Sequence, residues 1–394
     1  MLDPSDNGPG LAGALRRRGV PVSVLTIREY AWVARGRGLD GRVMGAPPDE
    51  AESWLQALLE IAEEGPGVLI PASDTACELV ARERARIPPA LRSFESAGSG
   101  HLDLMDKERL YALADSLKIA HPAPRVITSR AEIESIGREA AFPFLVKPAL
   151  SHRWRRLFGE RRAFLVEDLS ALRAVAIPAV DAGLALLVGE YVPGPVTNIE
   201  SAVVVRCENG SLPLAYTKHK LAEYPEFGAG SIHETIDAGD TLEIARRLLE
   251  GTGFVGVASV EAKRDERTGQ PVLIEANVRP HQAFAIGEAA GVDASWRLYA
   301  TLAGMPIAPQ PAPRPGVRVV VATLELHRVL GLLVSRRLAV RELVASYRGV
   351  RSVSGLDIRD PWPILCLLGQ QARRAARKAA GALLPQRPRG GGCH

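Results

Sequence analysis

Glu261, Glu275 and Asn277 are the residues whose types and spacing point most directly to chemistry. Glu261 stands in GVASVEAKRDERTGQP, and the other two stand in VLIEANVRP. The apolar run 254–260 and the segment 271–278 each read as a strand, with RDERTG at 264–269 as the turn between them. Strand alternation puts Glu275, Asn277 and Arg279 on one face, and antiparallel pairing across the turn sets Glu261 opposite or diagonal to Glu275. Two like charges so placed repel unless something positive lies between them. Two carboxylates and an amide are hard oxygen ligands of the kind that hold Mg²⁺ or Mn²⁺, ions that keep waters and bind substrate phosphates at the same time. The competing reading of an isolated E-x-N is an exposed strand face with solvated charges.

The elements that must position these residues are legible in outline. Residues 1 to about 100 read as α/β units with a mostly parallel sheet: a helix over 11–18, a strand over 20–25, a helix over 51–64 and a short buried strand over 67–70. The loop DPSDNGPG follows Met1 and Leu2 directly, so either the natural start lies upstream or the sheet lacks an edge strand. That loop does not match G-x-G-x-x-G and carries no dinucleotide-site prediction. Asp106 offers an N-cap to a helix with Leu110, Leu113, Ala114 and Leu117 at helical spacing. HPAP at 121–124 ends that unit. Strands are expected over 141–148, where Lys147 precedes a proline, over 163–167 and over 185–192, the last followed by the P-G-P turn at 193–195. PQPAPRPG after Ala308 reads as a domain edge, and residues 316–394 match no motif. The segment WPILCLLGQQARRAARKAAGALLP reads as a docking helix followed by a disordered tail, with contact to anionic lipid or an acidic partner as the alternative.

Composition sets the class. The chain has 394 residues, 46% hydrophobic and 24% charged, enough for two or three domains with substantial cores. Its N-terminus has no secretory pattern and no run of 18 apolar residues occurs, so a cytoplasmic location without a transmembrane segment is expected. Cys77, Cys207, Cys366 and Cys393 are far apart and read as free thiols. The formal net charge of +4 is concentrated in the tail, where Arg373, Arg374, Arg377, Lys378, Arg387 and Arg389 stand with no acid among them. Nucleic acid is therefore not an expected partner.

Together with the segments upstream, the hairpin resembles the ATP-grasp superfamily, and most closely its carboxylate-amine ligase branch, on E-x-K-R-D-x-R-T-G followed by I-E-x-N-x-R-P. The resemblance covers roughly residues 105–305, about half the chain. It implies a mixed α/β and α+β class: an ATP-grasp fold of two α+β lobes gripping ATP, preceded by a Rossmann-like domain and followed by a C-terminal extension. The corresponding boundaries are 1–104, 105–308 (small lobe about 105–190, large lobe about 191–308) and 309–394.

The resemblance also implies roles. Glu261, Glu275 and Asn277 match the metal ligands. Lys107 and Lys147 match the lysines on ATP phosphates, and Glu190, Tyr191 and Val192 match the adenine segment. Asn198, beside Thr197 and two residues before Glu200, stands near the ribose position. Lys218, in YTKHKLAEYPEFGAG with His219 and Lys220, matches the stretch that brings a cation toward the transferring phosphate, and Arg279 is placed to stabilise an acyl phosphate. His281 and Gln282 follow as weaker substrate candidates. One departure concerns the glycine-rich loop over the phosphates: here only Gly159 stands among His152, Arg153, Arg155, Arg156, Arg161 and Arg162, which can serve phosphate, an acidic substrate or solvent. The implied activity is ATP- and Mg²⁺-dependent joining of a small-molecule carboxylate and an amine through an acyl phosphate. The alternatives are a small-molecule kinase on the same scaffold or a non-catalytic nucleotide-binding regulatory module. No covalent protein nucleophile is required.

Overall fold

The computed structural model describes the chain except residues 95–99, 140, 149–153, 155–156, 160, 337–338, 357–358 and 384–394, and the side chains of 139 and 374–383. His152, Arg153, Arg155 and Arg156 of the basic segment, and Cys393 with the tail end, therefore lie outside the described residues.

The N-terminal unit is built on parallel pairs. β1 (Ser23–Ile27) pairs with β2 (Asp40–Met44), and β3 (Gly67–Val68) pairs with β4 (Leu91–Arg92). Leu2 bridges in parallel to both Leu25 and Pro71, with backbone bonds from Leu2 N to Ile70 O and from Leu25 N to Met1 O, so a one-residue strand joins the two pairs. Leu2 thus occupies a central position between the two pairs, not an edge. The loop reading of NGPG needs correction, because the first helix runs Asn7–Arg16. Pro9 falls in the first turn, where no intrahelical N–H bond exists to lose. Gly8 is tightly packed, since a Cβ there would stand 2.6 Å from Val33 Cγ1. The Asn7 amide anchors the turn by donating to Ala72 O at 3.0 Å and Pro280 O at 2.7 Å.

Next comes a four-stranded antiparallel sheet, made from β5 (Arg125–Ile127), β6 (Phe144–Pro148), β7 (Phe164–Val166) and β8 (Leu186–Glu190) in the order β5-β8-β6-β7. One face is covered by the helices Arg130–Glu139 and Leu169–Asp181, with Ile133, Ile136, Trp154, Leu172 and Val188 in its core.

The large sheet has seven strands. They are β9 (Ile199–Arg206), β10 (Leu214–Tyr224), β11 (Ala229–Ile236), β12 (Gly256–Arg264), β13 (Pro271–Asn277), β14 (Arg318–Val321) and β15 (Val350–Ser354), ordered β13-β12-β9-β10-β11-β14-β15. Period-2 alternation divides its side chains between two cores. Ala202, Val204, Ala258 and Val260 face the helix Gly239–Gly251 and residues Leu104, Leu110 and Ala114, whereas Val203, Val205, Tyr216 and Val257 face the N-terminal unit. The helix Lys107–Ser116, capped by Asp106 as expected, therefore packs on the large sheet although it precedes the small one.

The segment expected as an appendage also continues the large sheet. β14 pairs antiparallel with β11, and β15 pairs parallel with β14. Its last described helix, Trp362–Leu383, puts Leu367 into the core shared with the N-terminal unit, and Gln370 donates to Glu29 O at 3.0 Å.

Candidate active site

The site begins at the β12–β13 hairpin. Glu261 lies directly across from Glu275, and Ser259 lies across from Asn277. A bulge between Glu261 and Ala262 makes Leu273 the next partner and leaves Ile274 extra; its carbonyl accepts the Tyr111 hydroxyl at 2.6 Å. Bulges re-aim side chains beside functional sites, and this one fixes which hairpin face Glu275 presents.

Cations surround the carboxylate pair. Lys220 Nζ donates to Glu261 Oε1 at 3.0 Å and to Gly228 O at 3.2 Å. Asn277 Nδ2 donates to Glu275 Oε1 at 3.0 Å, and Arg279 Nη2 donates to Asn277 Oδ1 at 3.4 Å. Burial pushes the Glu275 carboxyl up, but Lys107, Lys147, the Asn277 amide and Lys220 outweigh it and hold the pKa at about 2. For Lys147 the balance runs the other way: burial and Lys107 lower it to about 8 against the pull of Glu275 and Glu261. Three lysines from three elements, the helix Lys107–Ser116, β6 and β10, thus converge on the two carboxylates.

This donor set fits a divalent cation that shares its shell with phosphate. The oxygens of Glu261, Glu275 and Asn277 are hard ligands, and the Lys220 ammonium already sits where positive charge is demanded. Among the described residues no group of three or more His, Cys, Asp or Glu side chains could hold a metal. Two carboxylates with an amide suit Mg²⁺, which completes its octahedron with water and phosphate oxygens.

Lys218 occupies a different place from Lys220. It lies deeper on the same face of β10, where Nζ meets Ser201 Oγ at 3.2 Å and His233 Nδ1 at 3.3 Å, and burial lowers it to about 7. Lys220 rather than Lys218 donates to the Glu261 carboxylate, a distinction that YTKHKLAEYPEFGAG alone does not make. His233 and His281 sit beside this group, 6.4 Å apart, with the Tyr216 hydroxyl 3.3 Å from His281 Nε2; burial keeps both imidazoles neutral. His219 points to the opposite face, meeting Thr197 O at 2.9 Å and Glu234 at 3.3 Å. The Gln282 carbonyl accepts the Ser354 hydroxyl.

Arg279 lies two residues beyond β13, and its guanidinium grips Asp74 at 2.6 and 3.2 Å. Asp74 opens the helix Asp74–Arg82, whose Ser73 side chain caps Ala76 N at 3.1 Å. The N-terminal unit thus fixes one cation of the site. In the sequence only the capping serine marks that turn.

The adenine candidates form the crossing between the sheets. Glu190 ends β8, and its carboxylate holds Arg267 from the hairpin turn at 2.7 Å. The Tyr191 N–H donates to Pro143 O at 3.1 Å, while its ring lies beneath the Lys263 ammonium at 4.6 Å. Val192 is buried. Asn198 donates to Arg264 O at 2.9 Å. Glu200 is already committed, bound by Arg264 through two 2.8 Å contacts and by the Thr241 hydroxyl at 2.5 Å. In the basic segment, Trp154 is buried and donates to Arg161 O at 2.6 Å, and the Arg161 guanidinium lies over Phe164 at 5.2 Å.

Comparison with solved structures decides the fold. N5-carboxyaminoimidazole ribonucleotide synthetase from Thermus thermophilus matches with a TM-score of 0.61 at 17% identity, over 80% of each chain. The biotin carboxylase domain of the Hydrogenobacter thermophilus 2-oxoglutarate carboxylase, solved with MgADP and bicarbonate, matches with a TM-score of 0.62 at 15% identity over 80% of this chain and 72% of that one. The chain has the ATP-grasp fold. In sequence, this ATP-grasp chain is 29% identical over 213 residues to the D-alanine–D-alanine ligase of Ectopseudomonas mendocina (strain ymp), covering 50% of this chain and 64% of that ligase. The match thus spans just under two thirds of its curated relative. No protein-family model matches the chain.

Proposed function

We propose that this ATP-grasp chain is an ATP- and Mg²⁺-dependent ligase that joins a small-molecule carboxylate to an amine through an acyl phosphate. The observation that carries this reading is Glu261 paired across the hairpin with Glu275 and enclosed by Lys107, Lys147 and Lys220. In this reading Glu261, Glu275 and Asn277 hold Mg²⁺, which when bound neutralises and orients the ATP phosphates. Lys107, Lys147 and Lys220 bind phosphate oxygens, and Arg279, oriented by Asp74, steadies charge that builds on the transferred group. Glu190, Tyr191 and Val192 receive the adenine, with Asn198 toward the ribose. Lys218 faces the bound acid from the depth of β10. These residues bind, orient and stabilise charge, and none forms a covalent bond to substrate. Relatives named for ligation, such as the D-alanine–D-alanine ligase, and a structural relative solved with MgADP support the reading.

The test is ADP release from ATP and Mg²⁺ with pooled amino acids, dipeptides and polyamines, with products analysed by mass. Turnover that requires both an acid and an amine, with an amide formed, is the expected result. ADP formed with a phosphorylated product and no need for amine would assign a kinase instead.

A further inference from the structure

We propose that the two helices Ala322–Val334 and Val340–Ser346 seat the protein on an anionic lipid bilayer. The helix Ala322–Val334 is joined by five residues to the helix Val340–Ser346. The Tyr347 hydroxyl, just past the second helix, donates to Glu325 in the first turn of the first at 2.6 Å, so the two helices run antiparallel. One side of the first helix packs on β10 and β11. The other presents Leu326, Leu330, Leu333 and Val334, spaced i, i+4, i+7 and i+8, and the second helix adds Val340 and Val344. These six side chains are between 40% and 86% exposed. A cluster of that kind on a helix pair signals a surface that works against something apolar.

Charge identifies the occupant. Arg336, Arg341 and Arg348, on or next to these two helices, are exposed and make no ion pair among the described residues, whereas Arg130, Arg173 and Arg246 elsewhere on the surface are each held by carboxylates. Residues 322–351 contain two acids, Glu342 and the buried Glu325, which Arg328 and Tyr347 already occupy. A second copy of the chain would set the same arginine-rich rim against itself, because a two-fold interface repeats one patch on both sides. An anionic bilayer takes both features: its acyl boundary accepts the leucines and valines, and its headgroups accept the arginines. The first helix is about 20 Å long and lies flat in this arrangement; no described helix is long and apolar enough to cross a membrane. The seat borders the candidate active site, since His327 stacks on Tyr224 with ring centroids 5.9 Å apart, and Tyr224 leads into the turn whose Gly228 carbonyl accepts Lys220.

The experiment is co-sedimentation of the full chain with phosphatidylcholine vesicles, with and without phosphatidylglycerol, at low salt, together with gel filtration. The chain is expected to sediment only with the anionic vesicles. Leu330→Glu/Leu333→Glu should reduce binding to background, and Arg336→Ala/Arg341→Ala should weaken it roughly thirtyfold, both without moving the thermal midpoint because these side chains are exposed. Failure to sediment with anionic vesicles, or binding that survives in both variants, overturns the proposal. So does a wild-type dimer that Leu330→Glu/Leu333→Glu converts to monomer, which would assign the face to a second copy.

Discussion

The Arg264 guanidinium ties together the elements that hold Glu261 in place, and its removal has a calculable consequence. Nε and Nη2 contact the two Glu200 oxygens at 2.8 Å each, Nη1 and Nη2 contact Asp240 at 2.8 and 2.9 Å, and Nη1 reaches Gly269 O at 2.7 Å. One side chain on β12 thus clamps β9, the helix Gly239–Gly251 and the hairpin turn, three residues from Glu261. The Asp240 side chain is 50% exposed, so that arm is worth about 0–1 kcal/mol. The Glu200 side chain is 10% exposed, and stripping a buried carboxylate of its partner costs about 3–5 kcal/mol. Thr241 still donates to Glu200, which places Arg264→Met near the lower end, about 3 kcal/mol. Glu200→Gln leaves Arg264 with Asp240 and Gly269 and should cost about 1–2 kcal/mol. The double variant should lose less than the sum, with a coupling of about 2 kcal/mol. Native-state hydrogen exchange of the β9 and β12 amides reads these losses without assuming that the whole chain unfolds as one unit. Strictly additive losses, or no change at β12, would show that the clamp does not hold the hairpin.

Other outcomes follow from the same geometry. Lys220→Met leaves Glu261 and Glu275 face to face without their ammonium, so its thermal midpoint should fall in EDTA and recover with Mg²⁺ by more than the wild type gains. Burial and Lys107 lower Lys147 to about 8, and phosphate binds its protonated form; ATP affinity should therefore be flat below that pH and fall about tenfold by one unit above it. Lys147→Arg stays charged and should lose that slope, which calorimetric titrations across the range would show. Gly41→Ala would place a Cβ 2.0 Å from the Ala34 carbonyl oxygen, and a loss of about 3 kcal/mol is expected by chemical denaturation.

What the sequence revealed depended on how local the signal was. The hairpin was legible because alternation, turn chemistry and a short loop fix register, and Glu261 does lie across from Glu275. The Asp106 cap was legible for the same reason, since its bonds run to Glu108 N and Arg109 N. Long-range pairing left weaker marks. The Asp74–Arg279 contact joins residues 205 positions apart, and nothing near either residue announces the other. Lys220 and Lys218 share a strand face, so type and alternation could not decide which meets a carboxylate; register sets Lys218 level with Glu261 through Ser201, yet the Lys218 ammonium is taken up by Ser201 and His233 and Lys220 crosses to Glu261. NGPG misled because glycine and proline punctuate loops, whereas here Pro9 falls in a first turn and the Asn7 amide supplies tertiary anchors. The strands after Ala308 were hidden because β14 has only four residues and is specified by its neighbour β11.

The most direct test of the central claim is calorimetric titration of ATP into the wild type and Glu275→Gln, with and without Mg²⁺. If Glu261 and Glu275 form the metal–nucleotide site, the wild type binds ATP tightly only with Mg²⁺, and the variant loses most of that Mg²⁺ dependence while keeping its thermal midpoint. Equal Mg²⁺-dependent affinity in both proteins, or no ATP binding by the wild type, would contradict the account.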